Sequence, residues 1–304
     1  MLVNPLLVMG LSPLMLGIIR KGKARMQSLH GASVFQPYRD LAKLFKKDEV
    51  ISEDASWIFR AAPYIVFGST LALAAGIPMI SGLLTFIPLS DMLVFVYLVA
   101  LGTFFLALAG FDTGSGFGGF GASREMLFAA VTEGGLILSL FAVALIAGTT
   151  NFLGMTEAVR NITSTEALPL FLAAAAFFIA LLSENARYPV DNPATHLELT
   201  MVHEAMILEY SGKRLALMEW ASSNKLFIFG ALLTSIFFPW GFAGAASVSA
   251  LVNATLIFLA KMLVVAGAIV FVESTIPKMR IFRIPDLLFT SFVLSLIAIL
   301  ILTL

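Results

Sequence analysis

The chain has 304 residues, of which 59% are hydrophobic and 12% charged, with no formal net charge and no cysteine. Soluble domains carry about 25% charged residues, so this composition excludes an ordinary soluble fold and describes a polytopic membrane protein built from apolar runs. The missing cysteine excludes disulfides, thiolate-bound zinc, cysteine-ligated iron–sulfur clusters and thiol nucleophiles from this chain, though not from a partner.

Eight apolar segments can each cross a hydrocarbon core, near 2–19, 61–80, 91–109, 125–148, 168–183, 226–243, 251–272 and 286–304. No alternating pattern competes with them, and a backbone in lipid must satisfy itself, so the expectation is all-α. The first segment opens MLVNPLLVMG. It lacks a basic n-region and a small-residue cleavage site, and reads as a retained span. Residues 1–304 are expected to form a single membrane domain with long loops at 20–60 and 184–225. Lys and Arg set its orientation. Nine fall between Arg20 and Arg60, others at Arg124, Arg187, Lys213, Arg214, Lys225, Lys278, Arg280 and Arg283, and the even loops hold only Arg160. The odd loops are therefore expected in the cytoplasm and both termini outside.

Within the first loop, FQPYRDLAKLFKK places Phe35, Tyr38, Leu41, Leu44 and Phe45 on one helical face. That predicts an amphipathic helix at the membrane surface. The third loop, DTGSGFGGFGASRE, contains GxGxxG at Gly114, Gly116 and Gly119. A dinucleotide site needs a preceding strand, and a membrane helix precedes this motif, so a flexible, closely packed loop is the reading. Glu125 and Glu133 lie two turns apart on one face. Glu133 and Lys261 stand inside apolar spans, where an ionisable side chain needs a partner, water or neutralisation. Lys261 is expected to pair with a carboxylate from another helix, and Glu273 to cap its span or join a relay.

The densest chemistry is Glu184 to Gly212, ENARYPVDNPATHLELTMVHEAMILEYSG. Pro189 and Pro193 break the fifth span. Asn192 with Pro193 can start a second helix, expected to run to about Glu209 and to bring Glu198 and Glu209 to one face. It is too polar to span lipid and too apolar for water, which suits a re-entrant, protein-buried segment. His203-Glu204 does not begin HExxH, because Ile207 occupies the last position, and no metal site is expected. Ser211-Gly212-Lys213 lacks the upstream glycine of a P-loop.

At this stretch the chain resembles the subunit 1 family of respiratory complex I, and within it the formate hydrogenlyase subunit 4 and hydrogenase-4 component C branch. The resemblance rests on Glu184, Arg187, Pro189, Asp191, Pro193, Glu198, Leu199 and the quartet Glu209-Tyr210-Ser211-Gly212. It extends to Arg25, Gln36-Pro37, Asp40 to Leu44, the run Gly110 to Glu125, Lys261, and Glu273 to Arg280. It implies a subunit that anchors a peripheral redox arm and couples it to proton movement in antiporter-like neighbours. By that resemblance Glu133, Glu184, Asp191, Glu198, Glu209 and Lys261 belong to the proton path. Arg25, Asp40, Asp112, Arg124, Glu125 and Arg187 lie at the cavity and arm interface. Leu29-His30-Gly31-Ala32 replaces the family's basic RRGP run, and Ala194 and His196 replace two acidic positions. These departures weaken the case for a bound quinone and favour a hydrogenase-like complex.

The expected function is thus a coupling subunit of a complex I-like or group 4 hydrogenase complex in a prokaryotic cytoplasmic membrane. No complete catalytic site or bound cofactor is expected in this chain. A quinone is the one ligand the family suggests, and iron–sulfur and nickel–iron centres would reside in hydrogenase-like or dehydrogenase-like partners. Nucleic acid is not an expected partner. The alternative is a stand-alone secondary transporter of ions or protons, which the broken helix permits. The absence of an internal repeat argues against it.

Overall fold

The computed structural model describes residues 3–52, 55–191, 201–243 and 247–304. In chain order its helices are α1 (Val3–Met26), α2 (Gln36–Lys46), α3 (Trp57–Gly76), α4 (Met92–Asp112), α5 (Gly116–Ala147), α6 (Phe152–Arg160), α7 (Ala167–Glu184), α8 (His203–Ile207), α9 (Gly212–Leu232), α10 (Val248–Thr275) and α11 (Ile284–Thr303). No strand occurs among the described residues.

The starts of the apolar helices are written into the sequence. Ser56, Asp91, Ser115 and Ser247 stand before α3, α4, α5 and α10, and each side chain accepts a hydrogen bond from a first-turn N–H. Gly148, in the left-handed region, ends α5. The carboxylate of Asp112, at the end of α4, accepts from the N–H groups of Ser56 at 2.8 Å and Phe59 at 3.2 Å. It ties the start of α3 to α4, and the two helices pack side by side. Elsewhere α11 lies against α5 and α7, and α9 lies against α1 and α3.

Seven of the described helices are long and apolar enough to cross a membrane: α1, α3, α4, α5, α7, α10 and α11 with its preceding turn. The segment expected as the sixth span, 226–243, differs. Its helix, α9, begins at Gly212 rather than near 226 and takes in Lys213, Arg214, Glu219, Asn224 and Lys225. The expected loop 184–225 therefore ends at Ser211, and the polar half of α9 is helix packed against α1, α2 and α3. Ser12 donates to Asn224 at 2.6 Å, and Asn224 donates to Thr70 at 3.3 Å, which satisfies its buried amide.

α9 continues into a π-helical turn, Leu233–Phe237. Thr234 and Ser235 both donate side-chain hydrogen bonds back to the Ala231 carbonyl, and Pro239 stops the helix soon after. Lys261 donates to the carbonyls of Thr234 at 3.2 Å and Phe238 at 2.9 Å. The expected carboxylate partner is thus replaced by backbone oxygens left open where the helix is distorted.

The amphipathic helix is present as α2. Leu41 is buried, Lys43, Lys46 and Lys47 lie toward its open side, and Tyr38 donates to the carbonyl of Gly10 in α1. The glycine-rich third loop, in contrast, is helix from Gly116 onward. Its glycines serve packing. A Cβ at Gly118 would meet the Gly110 carbonyl of α4, and one at Gly121 would sit 2.8 Å from both the Val202 carbonyl and the Ala205 Cβ. Gly121 is what admits α8 against α5. Gly121→Val should displace α8 and lower stability by about 1–3 kcal/mol, read as a lower unfolding midpoint in detergent. Gly68→Ala, at a position with open space around it, should leave that midpoint unchanged.

Candidate functional site

The turn after α7 carries three charges, and each is held by a different part of the fold. Glu184 accepts from Lys225 of α9 at 2.7 Å. Arg187 lies 3.2 Å from Glu273 of α10. Asp191 accepts from Lys278, in the α10–α11 connection, at 2.6 Å. Glu273 also holds Lys23 of α1 at 3.3 Å, and that ammonium lies 4.2 Å from the centre of the Tyr188 ring. Glu184, Arg187, Asp191 and Glu273 are buried. Isolated buried charges cost several kcal/mol each, so such residues persist only when paired with good geometry.

The turn's backbone reinforces this placement. The N–H of Arg187 donates to Leu182 at 2.8 Å, and that of Asp191 to the Arg187 carbonyl at 3.1 Å. Asp191 also accepts from the backbone N–H of His203 at 3.3 Å, so it anchors the start of α8. Arg124 donates to the Met201 carbonyl at 3.0 Å and fixes the approach to α8 from the other side.

Three cavities line up along these residues. The outermost has a volume of about 350 Å³ and is bordered by Arg20, Lys23, Arg187, Glu204, Glu219 and Glu273. A narrower one of about 50 Å³ is bordered by Glu125, Glu184, His203 and Lys225. The third is a small space bordered by Glu125, Glu184 and Asp191, with the hydroxyls of Thr132 and Ser183 in hydrogen-bond contact at 2.8 Å. Glu133 follows Thr132 on α5 and is half-buried.

Burial controls the chemistry around α8. The His203 imidazole is pushed down to about 4, by burial and then by the positive charge of Lys225, against the pull of Asp191. It is neutral at neutral pH. The Glu204 carboxyl is raised to about 7 by burial and then by Glu219 and Asp191, against Arg20. Burial also lowers the Arg187 guanidinium, and Glu273 opposes that shift. Among the described residues, Glu184, Asp191 and Glu273 are ion-paired, while Glu125, Glu204 and Glu219 are not.

The structure gathers Glu125, Glu184, Arg187 and Asp191, with Glu133 close by. It separates others. Glu198 lies outside the described residues, as do Asn192, Pro193 and His196. The expected helix from Asn192 to Glu209 is not continuous: Met201 and Val202 are non-helical, α8 spans only His203–Ile207, and Glu209 is exposed in the turn beyond it. Arg25 is exposed at the end of α1, and Asp40 accepts from Gln36 within α2. Asp112 caps α3, and Lys261 supports the π turn.

The rest of the EYSG quartet is a latch. Tyr210 stacks on Phe59 with ring centres 3.9 Å apart and donates to the Phe59 carbonyl at 2.9 Å. Ser211 exchanges hydrogen bonds with both backbone groups of Val50, and Gly212 has positive φ beside the Asp48 carbonyl. Glu204 and Glu219 are site residues that the sequence pattern gives no role, and Lys23, Lys225 and Lys278 enter it only as marks of orientation.

Fold and site together define a multi-pass membrane protein with an internal axis of charge. Residues 1–304 match the family described as NADH dehydrogenase, and the chain belongs to that family, in its complex I subunit 1 type. Among its relatives is formate hydrogenlyase subunit 4 of Escherichia coli (strain K12), 31% identical over 96% of this chain and 94% of the relative. Hydrogenase-4 component C of the same organism is 34% identical over 98% of this chain and 93% of the relative. An NADH-quinone oxidoreductase subunit of Rubrobacter xylanophilus is 29% identical over 72% of this chain and 67% of the relative. A chain from the structure of the membrane-bound sulfane sulfur reductase, an archaeal respiratory membrane complex, shares the fold. Its TM-score is 0.85 at 23% identity, covering 98% of this chain and 96% of that one. The protein is a complex I-like membrane subunit.

Two measurements probe the site's electrostatics. Arg187→Met leaves Glu273 with Lys23 alone and should cost about 2–4 kcal/mol. Arg187→Met with Glu273→Leu should restore part of that loss in the detergent unfolding midpoint. Glu204 binds its proton more tightly folded than unfolded, so it withdraws stability as pH rises from the usual carboxylate range through about 7. Glu204→Gln should match the parent protein at pH 4 and exceed it at pH 8 by on the order of 2 kcal/mol.

Proposed function

We propose that this chain anchors a peripheral redox arm to a prokaryotic cytoplasmic membrane and couples its chemistry to proton movement in antiporter-like neighbours. The complex is of the group 4 membrane-bound hydrogenase type. The observation that carries this reading is the row of buried ion pairs, from Lys23, Glu273 and Arg187 at the basic end through Asp191 and Lys278 to Glu184 and Lys225. It continues on α5 as Glu125 and Glu133. A purely structural anchor has no use for so much charge in an apolar bundle. The names of the two Escherichia coli relatives support the choice of complex.

The physical coupling is direct. Charges about 6 Å apart interact by roughly 3 kcal/mol at an effective dielectric near 20, enough to move a neighbouring pKa by about two units. A redox change in an arm docked at the basic end alters the charge facing Lys23 and Arg20. Glu273, shared by Lys23 and Arg187, passes that change to the turn. The turn then biases proton occupancy at Glu125 and Glu133. Iron–sulfur and nickel–iron centres belong to the arm in this reading. The outer cavity is walled by Arg20, Arg187, Glu204, Glu219 and Glu273 together with Leu16, Ile19, Ile207 and Met218, and no step is routed through a quinone.

Purification in mild detergent tests the assignment. The tagged chain should bring down hydrogenase-like and antiporter-like proteins with nickel and iron, and isolation as an active lone transporter overturns it. In the reconstituted complex, Glu184→Gln should abolish proton translocation and leave hydrogen chemistry with an artificial acceptor at the parent rate.

A further inference from the structure

The outer and middle cavities share five lining residues: Asn185, His203, Ile207, Met218 and Ser222. Of these only His203 carries a side chain that can both accept and donate a proton, one at each ring nitrogen. It begins α8, and its own N–H is held by Asp191, so the side chain is seated where the two spaces meet. On the outer side its sequence neighbour Glu204 faces Glu219 and Arg20. On the inner side stand Glu125, Glu184 and Lys225. The middle and innermost cavities share two carboxylates, Glu125 and Glu184. Among the described residues, both junctions of the middle cavity therefore hold a side chain that titrates; the outer and innermost spaces also meet at Ala186, which has none.

We infer that His203 is the relay residue that passes protons between the outer cavity and the buried carboxylates. The inference rests on the proton-coupling role proposed above. The step balances simply. The Glu204 carboxyl gives its proton to one ring nitrogen, and the other ring nitrogen gives its proton to the unpaired Glu125 across the middle cavity. The imidazole ends neutral in its other tautomer, and ring reorientation restores the first. Glu204 becomes a carboxylate that water in the outer cavity reprotonates. Two features suit His203 to this work. It is neutral at rest, so one nitrogen is free to accept. It also sits between a protonatable carboxyl and the Lys225-facing carboxylates, which gives the transfer a direction. An amide or hydroxyl in its place accepts hydrogen bonds but does not hold a proton.

The test uses the whole complex, purified through this chain and reconstituted in liposomes, with proton uptake and artificial-acceptor redox rate measured in parallel. His203→Gln and His203→Ala should each lower coupled proton translocation at least tenfold, with partner recovery and redox rate unchanged. Added imidazole should restore translocation in His203→Ala in a dose-dependent way, because the outer cavity admits it, and should not restore it in His203→Gln. Full translocation in both variants overturns the relay. So does a loss in His203→Ala that imidazole leaves unchanged, which marks His203 as structural. Failure of both variants and of His203→Asn to assemble has the same meaning. If the parent complex itself moves no protons, the coupling role fails first, and that outcome is distinct from one in which the parent pumps and His203 is dispensable.

Discussion

The turn from Glu184 to Asp191 depends on three counter-charges that the chain supplies from far away. Lys225 is 41 residues from Glu184, Glu273 is 86 from Arg187, and Lys278 is 87 from Asp191. Every one of these pairs crosses between elements, so each fixes a helix as well as neutralising a charge. The Lys225 contact sets the register of α9 against the end of α7. The contacts to Glu273 and Lys278 hold both sides of the break between α10 and α11. Lys23 brings α1 to the same point. Pull the turn out and four parts of the bundle lose their common reference. The cavities are spaces left between elements that the pairs hold at fixed separation.

Backbone that leaves the helix is tolerated here only because protein surrounds it. At one end of α9, the latch of Tyr210, Ser211 and Gly212 seals the non-helical stretch against α3 and the first loop. At the other, Lys261 covers the carbonyls opened by the π turn. Between the latch and the charged turn, α8 is a single short helix pressed against α5 at Gly121, with Arg124 and Asp191 holding its entry. The same glycine-rich run that looks like a nucleotide loop is the smooth face that lets this happen.

Seven of the spans, the amphipathic α2 and the concentration of charge at Glu184, Arg187 and Asp191 were legible in the sequence, because they rest on local composition and on motif. The start of α9 was not. Lys213, Arg214 and Lys225 read as loop charges, since hydropathy cannot tell a lysine facing water from one facing a buried glutamate. Lys23 and Lys278 were hidden for the same reason: near helix ends on the basic side they fit the orientation rule and need no further cause. Lys261 invited the opposite error. A buried lysine calls for an acceptor, and sequence offers carboxylates readily, whereas the oxygens it bonds exist only because Thr234, Ser235 and Pro239 distort a helix.

Pairing also sorts the carboxylates by what they can do. A glutamate held by a lysine at 2.7 Å, as Glu184 is, has its counter-charge built into the fold. Glu204 has no such partner among the described residues and stands where burial favours its neutral form. The paired groups are therefore fixed charges that set a field, and the unpaired ones are sites whose occupancy the field decides. By that division, removing one cation from the row should reach further than its own contact. Glu273 is shared by two cations and Asp191 bonds both a lysine and the α8 backbone. A charge withdrawn at one end leaves the next anion under-compensated, and a proton on an unpaired neighbour relieves it more cheaply than any movement of the helices, since each helix is held by several contacts and the proton by one.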